Sequence, residues 1–270
     1  MFKAVVSDLD GTLLNAEHKV SEFTRETVEL LLKKGIKFYI ATGRNYLGAK
    51  EAMDELGVKV PLITSHGSVA FDENGNEIFS NNLKREYLDK VLDIDYKSFG
   101  KDIIITGYSG PNWFVTEDLR EYFYNKKPDR TRYPKQITPE EFKKHNFTKI
   151  FFLGEDHDEL LELENEIRKA VGDGNISLLF ANEGSLEVFP ANCDKAKAAE
   201  VVLKRDGLTL KDAVSFGDGL NDYELITETG LGFAMGNSIY LLLEKLTDTE
   251  VIESNAEDGM AKKLRELFNL

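Results

Sequence analysis

The stretch VVSDLDGT, residues 5–12, decides how the chain is read. An apolar run, Ala4 to Val6, ends in two carboxylates one residue apart, Asp8 and Asp10, with Gly11 and Thr12 behind them. Acids so close repel each other, so they form either a solvated turn or a site with a cation between them. The ends of the other strands decide which.

Outward from that stretch, short apolar runs alternate with amphipathic segments, the pattern of strand-helix repeats and a largely parallel sheet. Lys3 to Ser7 reads as the first strand; Ser21 N-caps a helix through Leu32, with Gly35 just past its end. Ile36 to Ala41 is a second strand, Asn45 to Leu56 a helix ending at Gly57, and Pro61 to Thr64 a third strand. Asn74-Gly75, between Val69-Ala70-Phe71 and Glu77-Ile78-Phe79, marks a hairpin.

Beyond about Leu83 the texture changes. A helix (Arg85 to Tyr96), strands near Ile103 to Thr106 and Trp113 to Val115, and a basic loop carrying Lys126, Lys127, Arg130, Arg132 and Lys135 follow. Thr138-Pro139-Glu140-Glu141 starts a short helix with its cap, N1 proline and early acids in place. A strand at Lys149 to Leu153, a helix from Asp158 to Val171, and strands near Ile176 to Phe180 and Leu186 to Phe189 come next. Strand-helix alternation then resumes with a helix from Lys195, strands at Ala213 to Phe216 and near Leu231 to Ala234, and a last helix from Asp258 to Phe268. The expected organisation is a core of residues 1–82 and 191–270 interrupted by a second α/β module, residues 83–190.

In an open parallel sheet, ligands bind beyond the carboxyl ends of the strands. Asp8 follows the first strand, Thr42 the second, and Asp218 the strand at Ala213 to Phe216, so residues far apart in the chain are expected to converge. Two carboxylates about 4 Å apart repel by roughly 4 kcal/mol at an effective dielectric near 20, so a cluster of Asp8, Asp10, Asp218 and Asp222 calls for a cation. All-oxygen ligation points to a hard ion, and a few carboxylates plus substrate oxygens suit Mg2+. Zinc is disfavoured, because His18, His66, His145 and His157 lack ligand spacing and Cys193 stands alone. An EF-hand starting at Asp8 would put Lys19 where the twelfth-position glutamate belongs. A dinucleotide fingerprint at Gly217-Asp218-Gly219-Leu220-Asn221-Asp222 has an acid in place of its third glycine.

Taken in order, Asp8-Leu9-Asp10-Gly11-Thr12, Thr42-Gly43-Arg44, Lys195 and Gly217-Asp218-Gly219-Leu220-Asn221-Asp222 resemble the four motifs of the haloacid dehalogenase superfamily. The resemblance is to its Cof-like phosphatases with a large α/β cap, and Ala234-Met235-Gly236-Asn237 and Glu257-Asp258-Gly259 extend it over the whole chain. It implies a Rossmann-like α/β core, with the inserted module as a cap that selects substrate and acts as a lid. It also implies a phosphatase acting on small phosphomonoesters such as sugar phosphates, with Asp8 as nucleophile forming an aspartyl-phosphate and Asp10 as general acid and base. Mg2+ would be held by Asp8, the Asp10 carbonyl and Asp218, with Asp222 beside it. Thr42 and Lys195 would hold the phosphoryl oxygens; Gly43, Arg44 and Asn221 complete the substrate side. Two departures stand out: Ala196 follows Lys195 where the family has glycine, and His66-Gly67-Ser68 replaces Asn-Gly-Ala. Asp10 argues against dehalogenation, since dehalogenase members lack that acid. A sugar phosphomutase using the same intermediate and a non-catalytic phospholigand sensor are the alternatives.

Composition sets the outer limits. A net charge of -14 argues against gripping nucleic acid or an anionic membrane. The single cysteine excludes an internal disulfide and fits a reducing compartment. The first apolar run, cut off by Asp8, is too short for a signal segment, so a cytoplasmic monomer acting on a small phosphorylated metabolite is expected.

Overall fold

The computed structural model describes residues 2–110, 112–119, 133–191 and 193–270. Its strands in chain order are β1 (Ala4–Ser7), β2 (Lys37–Ala41), β3 (Leu62–Thr64), β4 (Val69–Phe71) and β5 (Glu77–Ser80). They continue as β6 (Ile104–Ser109), β7 (Asn112–Val115), β8 (Lys135–Gln136), β9 (Lys149–Leu153), β10 (Ile176–Asn182) and β11 (Ser185–Pro190), then β12 (Ala213–Gly217), β13 (Leu231–Ala234) and β14 (Glu250–Val251). The chain divides into two compact units, Met1–Phe79 with Asp194–Leu270, and Ser80–Cys193.

In the first unit, eight strands among the described residues form one sheet in the order β14-β13-β12-β1-β2-β3-β4-β5. β1 pairs in parallel with β12 on one side and β2 on the other, the ladder stays parallel from β14 to β3, and the β3–β4 step is antiparallel. The chain runs outward from β1 through β2 and β3 in one direction and from β12 through β13 and β14 in the other, so the order reverses beside β1. That reversal is where an open α/β sheet binds its ligand.

The inner strands are buried on both faces, which is why they read as continuous apolar runs rather than alternating ones. Val5, Phe38, Ile40, Val214 and Phe216 pack with Val28, Leu31, Ala52, Leu56 and Leu264, from the helices Glu22–Lys33, Tyr46–Leu56 and Gly259–Phe268. Ala4, Val6, Tyr39 and Ala41 pack on the opposite face with Ala198, Ala199, Val202 and Leu203 of the helix Lys195–Arg205. Caps set the boundaries: Ser21 accepts from the Thr24 amide, Asn45 from Gly48, and Gly57 closes its helix with φ +78°.

The second unit is a sheet of order β10-β11-β9-β6-β7-β8, mostly antiparallel, with the helices Arg85–Leu92 and His157–Val171 on one face. Leu88, Val91, Leu160, Leu163 and Ile167 pack there on Ile105, Ile150, Phe152 and Val188. The expected helix to Tyr96 ends at Leu92, because Asp93 and Asp95 are poor helix formers and lie where the negative end of the dipole repels them. Of the expected basic loop, Lys135 lies in β8, while Lys126, Lys127, Arg130 and Arg132 lie outside the described residues. Among the described residues no helix is long and apolar enough to cross a membrane.

Candidate active site

Register alone brings the first residues together. Ser7 lies opposite Phe216 and Ile40, and the ladder continues as the Asp8 amide donates to the Phe216 carbonyl at 3.0 Å. Asp8 therefore stands level with Gly217 and Ala41, and Asp218 and Thr42 are one residue further along their own strands.

After Asp8 the chain does not enter a regular helix. Leu9–Leu13 forms one wide turn, closed by the Leu14 amide on the Leu9 carbonyl at 2.9 Å, with Asp10 extended and Gly11 at φ +78°. Gly11 is required there twice over, by its left-handed φ and because a β-carbon would overlap the Asp218 carboxylate. The turn swings Thr12 round to donate to Asp218 Oδ1 at 3.1 Å, and Asn237 Nδ2 donates to the Gly11 carbonyl at 2.8 Å. Neither role was anticipated from sequence; both residues sit in the motifs quoted above, but the hydrogen bonds depend on the turn.

Lys195 opens its helix, with Asp194 as N-cap accepting from the Lys197 amide at 2.7 Å; Ala196 packs buried in the first turn without displacing the start. The lysine side chain is 0% exposed, and its Nζ lies 2.5 Å from both Asp8 Oδ1 and Asp222 Oδ1. Asp222 spends its other oxygen on the backbone amides of Asp218, at 3.0 Å, and Gly219, at 2.9 Å. Asp8, Asp218 and Asp222 each offer one oxygen within 4.8 Å of the others.

One ammonium cannot neutralise three carboxylates, and the titration behaviour follows from that imbalance. Burial raises the Asp8 carboxyl well above the usual range, and Asp222 and Asp218 add to the rise against the pull of Lys195. Asp218 is pushed up to about 6 by burial and by Asp222, with the Thr12 hydrogen bond opposing. For Lys195 burial favours the neutral amine, but Asp222 and Asp8 outweigh it and hold the proton more firmly than in water. Surplus negative charge on hard oxygen donors is the chemistry that a divalent cation such as Mg2+ fits.

The other expected residues divide into two groups. Thr42, buried at the end of β2, accepts from the Arg44 amide at 3.0 Å, and a hydroxyl that accepts can still donate its own hydrogen. Arg44 and Asp10 are taken up with each other, Nε to Oδ2 at 2.7 Å and Nη2 to Oδ1 at 2.5 Å, with His18 Nδ1 at 3.9 Å. The Asp10 carboxylate is thus engaged by Arg44 and is not among the three clustered acids. Gly43 lies against the His66 ring, and Asn221 Nδ2 is 3.3 Å from His66 Nδ1. Asp258, quoted with the last motif, serves the fold: its Oδ1 accepts from Ser21 and Thr24 at the start of the first helix.

The chain resembles known proteins along nearly its whole length. A family model described as haloacid dehalogenase-like hydrolase matches residues 5–264. Over 272 residues the chain is 35% identical to a Buchnera aphidicola (subsp. Baizongia pistaciae) protein that carries a provisional phosphatase name, with 99% of each chain covered. Over 271 residues it is 29% identical to the HMP-PP phosphatase of Yersinia pestis, covering 98% of this chain and 94% of the relative. A haloacid dehalogenase-like hydrolase from Bacteroides thetaiotaomicron superposes with a TM-score of 0.85 at 25% identity, covering 99% of this chain and 100% of the other.

Proposed function

The chain belongs to the haloacid dehalogenase-like hydrolases, and from that premise we propose that it is a Mg2+-dependent phosphatase of small phosphomonoesters working through an aspartyl-phosphate. The observation that carries the reading is the buried Lys195 ammonium shared between Asp8 and Asp222, at the reversal of a parallel sheet and beside Asp218. The phosphatase names of the relatives support it.

An Asp8 oxygen attacks phosphorus, the bond to the ester oxygen breaks, and Asp10 protonates the departing alkoxide. Asp10 then takes a proton from water as that water attacks the aspartyl-phosphate, releasing phosphate and restoring Asp8. Thr42 donates its hydroxyl hydrogen to a phosphoryl oxygen, and Lys195 places positive charge against the developing negative charge. Asp222 positions Lys195 and, by accepting from the backbone amides of Asp218 and Gly219, the loop that carries Asp218. Asp8, Asp218 and the Asp10 carbonyl are the groups that would hold Mg2+, with Asp222 behind them. When bound, the ion supplies Lewis-acid stabilisation of the phosphoryl oxygens and offsets the carboxylate repulsion.

The test is phosphate release from a panel of sugar phosphates and other phosphorylated metabolites. Release that needs Mg2+, stops in EDTA and disappears in Asp8→Asn is the expected result; release that persists in excess EDTA or in Asp8→Asn would exclude the mechanism.

A further inference from the structure

His66 sits in an unusual piece of backbone. Ser65, His66 and Gly67 all have positive φ, +50°, +57° and +90°, in the short turn that follows β3. Two consecutive non-glycine residues in this region are strained, and such strain persists where the surroundings impose it. Here the surroundings are the three segments that carry the phosphate-facing groups. The Ser65 amide donates to the Arg44 carbonyl at 2.8 Å and the His66 amide to the Thr42 carbonyl at 3.1 Å, which fixes the Thr42 turn. Gly67 lies so close to the Asp194 carbonyl that a β-carbon would overlap it, which seats the turn against the start of the Lys195 helix. The His66 ring fills the space over Gly43 on one side and meets Asn221 on the other, 3.3 Å from Nδ2.

We infer that His66 is a positioning residue: its ring ties the Thr42-Gly43-Arg44 turn to the Gly217–Asp222 loop, so that Thr42, Lys195 and the Asp218 loop keep one fixed spacing around the transferring phosphoryl group. The inference rests on the phosphatase reading above. A bridge of this kind acts on the rate of the chemical step more than on ground-state affinity, because the transition state is more demanding of geometry than the substrate.

The experiment compares two variants of the full chain with Mg2+ present. His66→Gly keeps the left-handed backbone and deletes the ring. His66→Asn tolerates the same backbone and puts Oδ1 where Nδ1 stood, bonded to Cγ and able to accept from Asn221. His66→Gly is expected to lower kcat between tenfold and roughly 10²-fold with KM little changed, and to weaken inhibition by orthovanadate in parallel with kcat. His66→Asn recovers most of the loss. Amide hydrogen exchange at residues 42–44 and 219–222 rises in His66→Gly and not in His66→Asn. Wild-type kcat in His66→Gly, equal impairment of the two variants, or unchanged exchange in both segments would overturn the inference. A wild-type chain that releases no phosphate would count against the phosphatase reading instead, and the exchange measurement would still decide the bridge.

Discussion

Asp218 shows how a residue's chemistry follows from its neighbours. Pushed up to about 6 by burial and by Asp222, it carries below that pH a proton that a bound cation must displace. Its folded value lies above the ordinary 3.8, so between those limits the folded chain binds more protons than the unfolded one. The stability Asp218 contributes is therefore fully present below the unfolded value and is lost as pH rises through about 6. Mg2+ binding has the opposite trend: affinity rises with pH as Asp218 and the likewise raised Asp8 lose their protons, by about tenfold per pH unit for each proton displaced. Calorimetric titration with Mg2+ from pH 5 to 8 measures this directly; affinity that does not change over that range would contradict the assignment. At this scale the acids are legible in the sequence, because carboxylates at the ends of separate strands need a common explanation. Lys195 is legible only through its place in the motif set, since a lysine at a helix start is ordinarily solvated. Its burial is a consequence of Asp8 and Asp222. The His66 bridge is not legible, because nothing in the residue type announces a left-handed turn wedged between three loops.

Elements with their own start and stop signals are read correctly from the chain. Ser21, Asn45 and Thr138 cap the helices expected of them, and Thr138 with Glu141 completes a reciprocal capping box. The elements that escape are those held by distant partners. The wide turn Leu9–Leu13 depends on Asp218 and Asn237, and the short helix Tyr240–Lys245 follows the Ile239 amide on the Asp218 carbonyl at 3.1 Å. β14 extends into the bond from the Ile252 amide to the Ala234 carbonyl at 2.9 Å. Such segments, two to six residues long, are too short for a period to show. Ser21 makes a test of the legible kind: it caps Glu22–Lys33 and also donates to Asp258 at 2.6 Å. Ser21→Ala should cost about 1–2 kcal/mol in urea unfolding and leave the kinetics of phosphate release unchanged. A change in kcat without loss of stability would show that the cap does something more than hold the helix.

For the whole molecule, the change of texture near Leu83 and the return of strand-helix alternation at Lys195 make an interruption of the first unit readable. The second unit has its own core around Ile150, Phe152, Leu160 and Leu163. The chain's net charge of -14 repels anionic substrates, so the attraction for phosphate must be local. On the proposed reading Lys195 would supply part of it, and a cation held by Asp8 and Asp218 the rest. The central claim is that Asp8 carries the phosphoryl group in mid-reaction. Asp10→Asn with p-nitrophenyl phosphate tests it most directly, because that leaving group departs without a general acid whereas water attack on the intermediate still lacks its base. Acid quenching and mass spectrometry of the peptide containing Asp8 should show one added phosphoryl group in Asp10→Asn and none in Asp8→Asn. An Asp10→Asn enzyme that releases p-nitrophenol while Asp8 stays unmodified, or an Asp8→Asn enzyme that keeps its activity, would contradict the account.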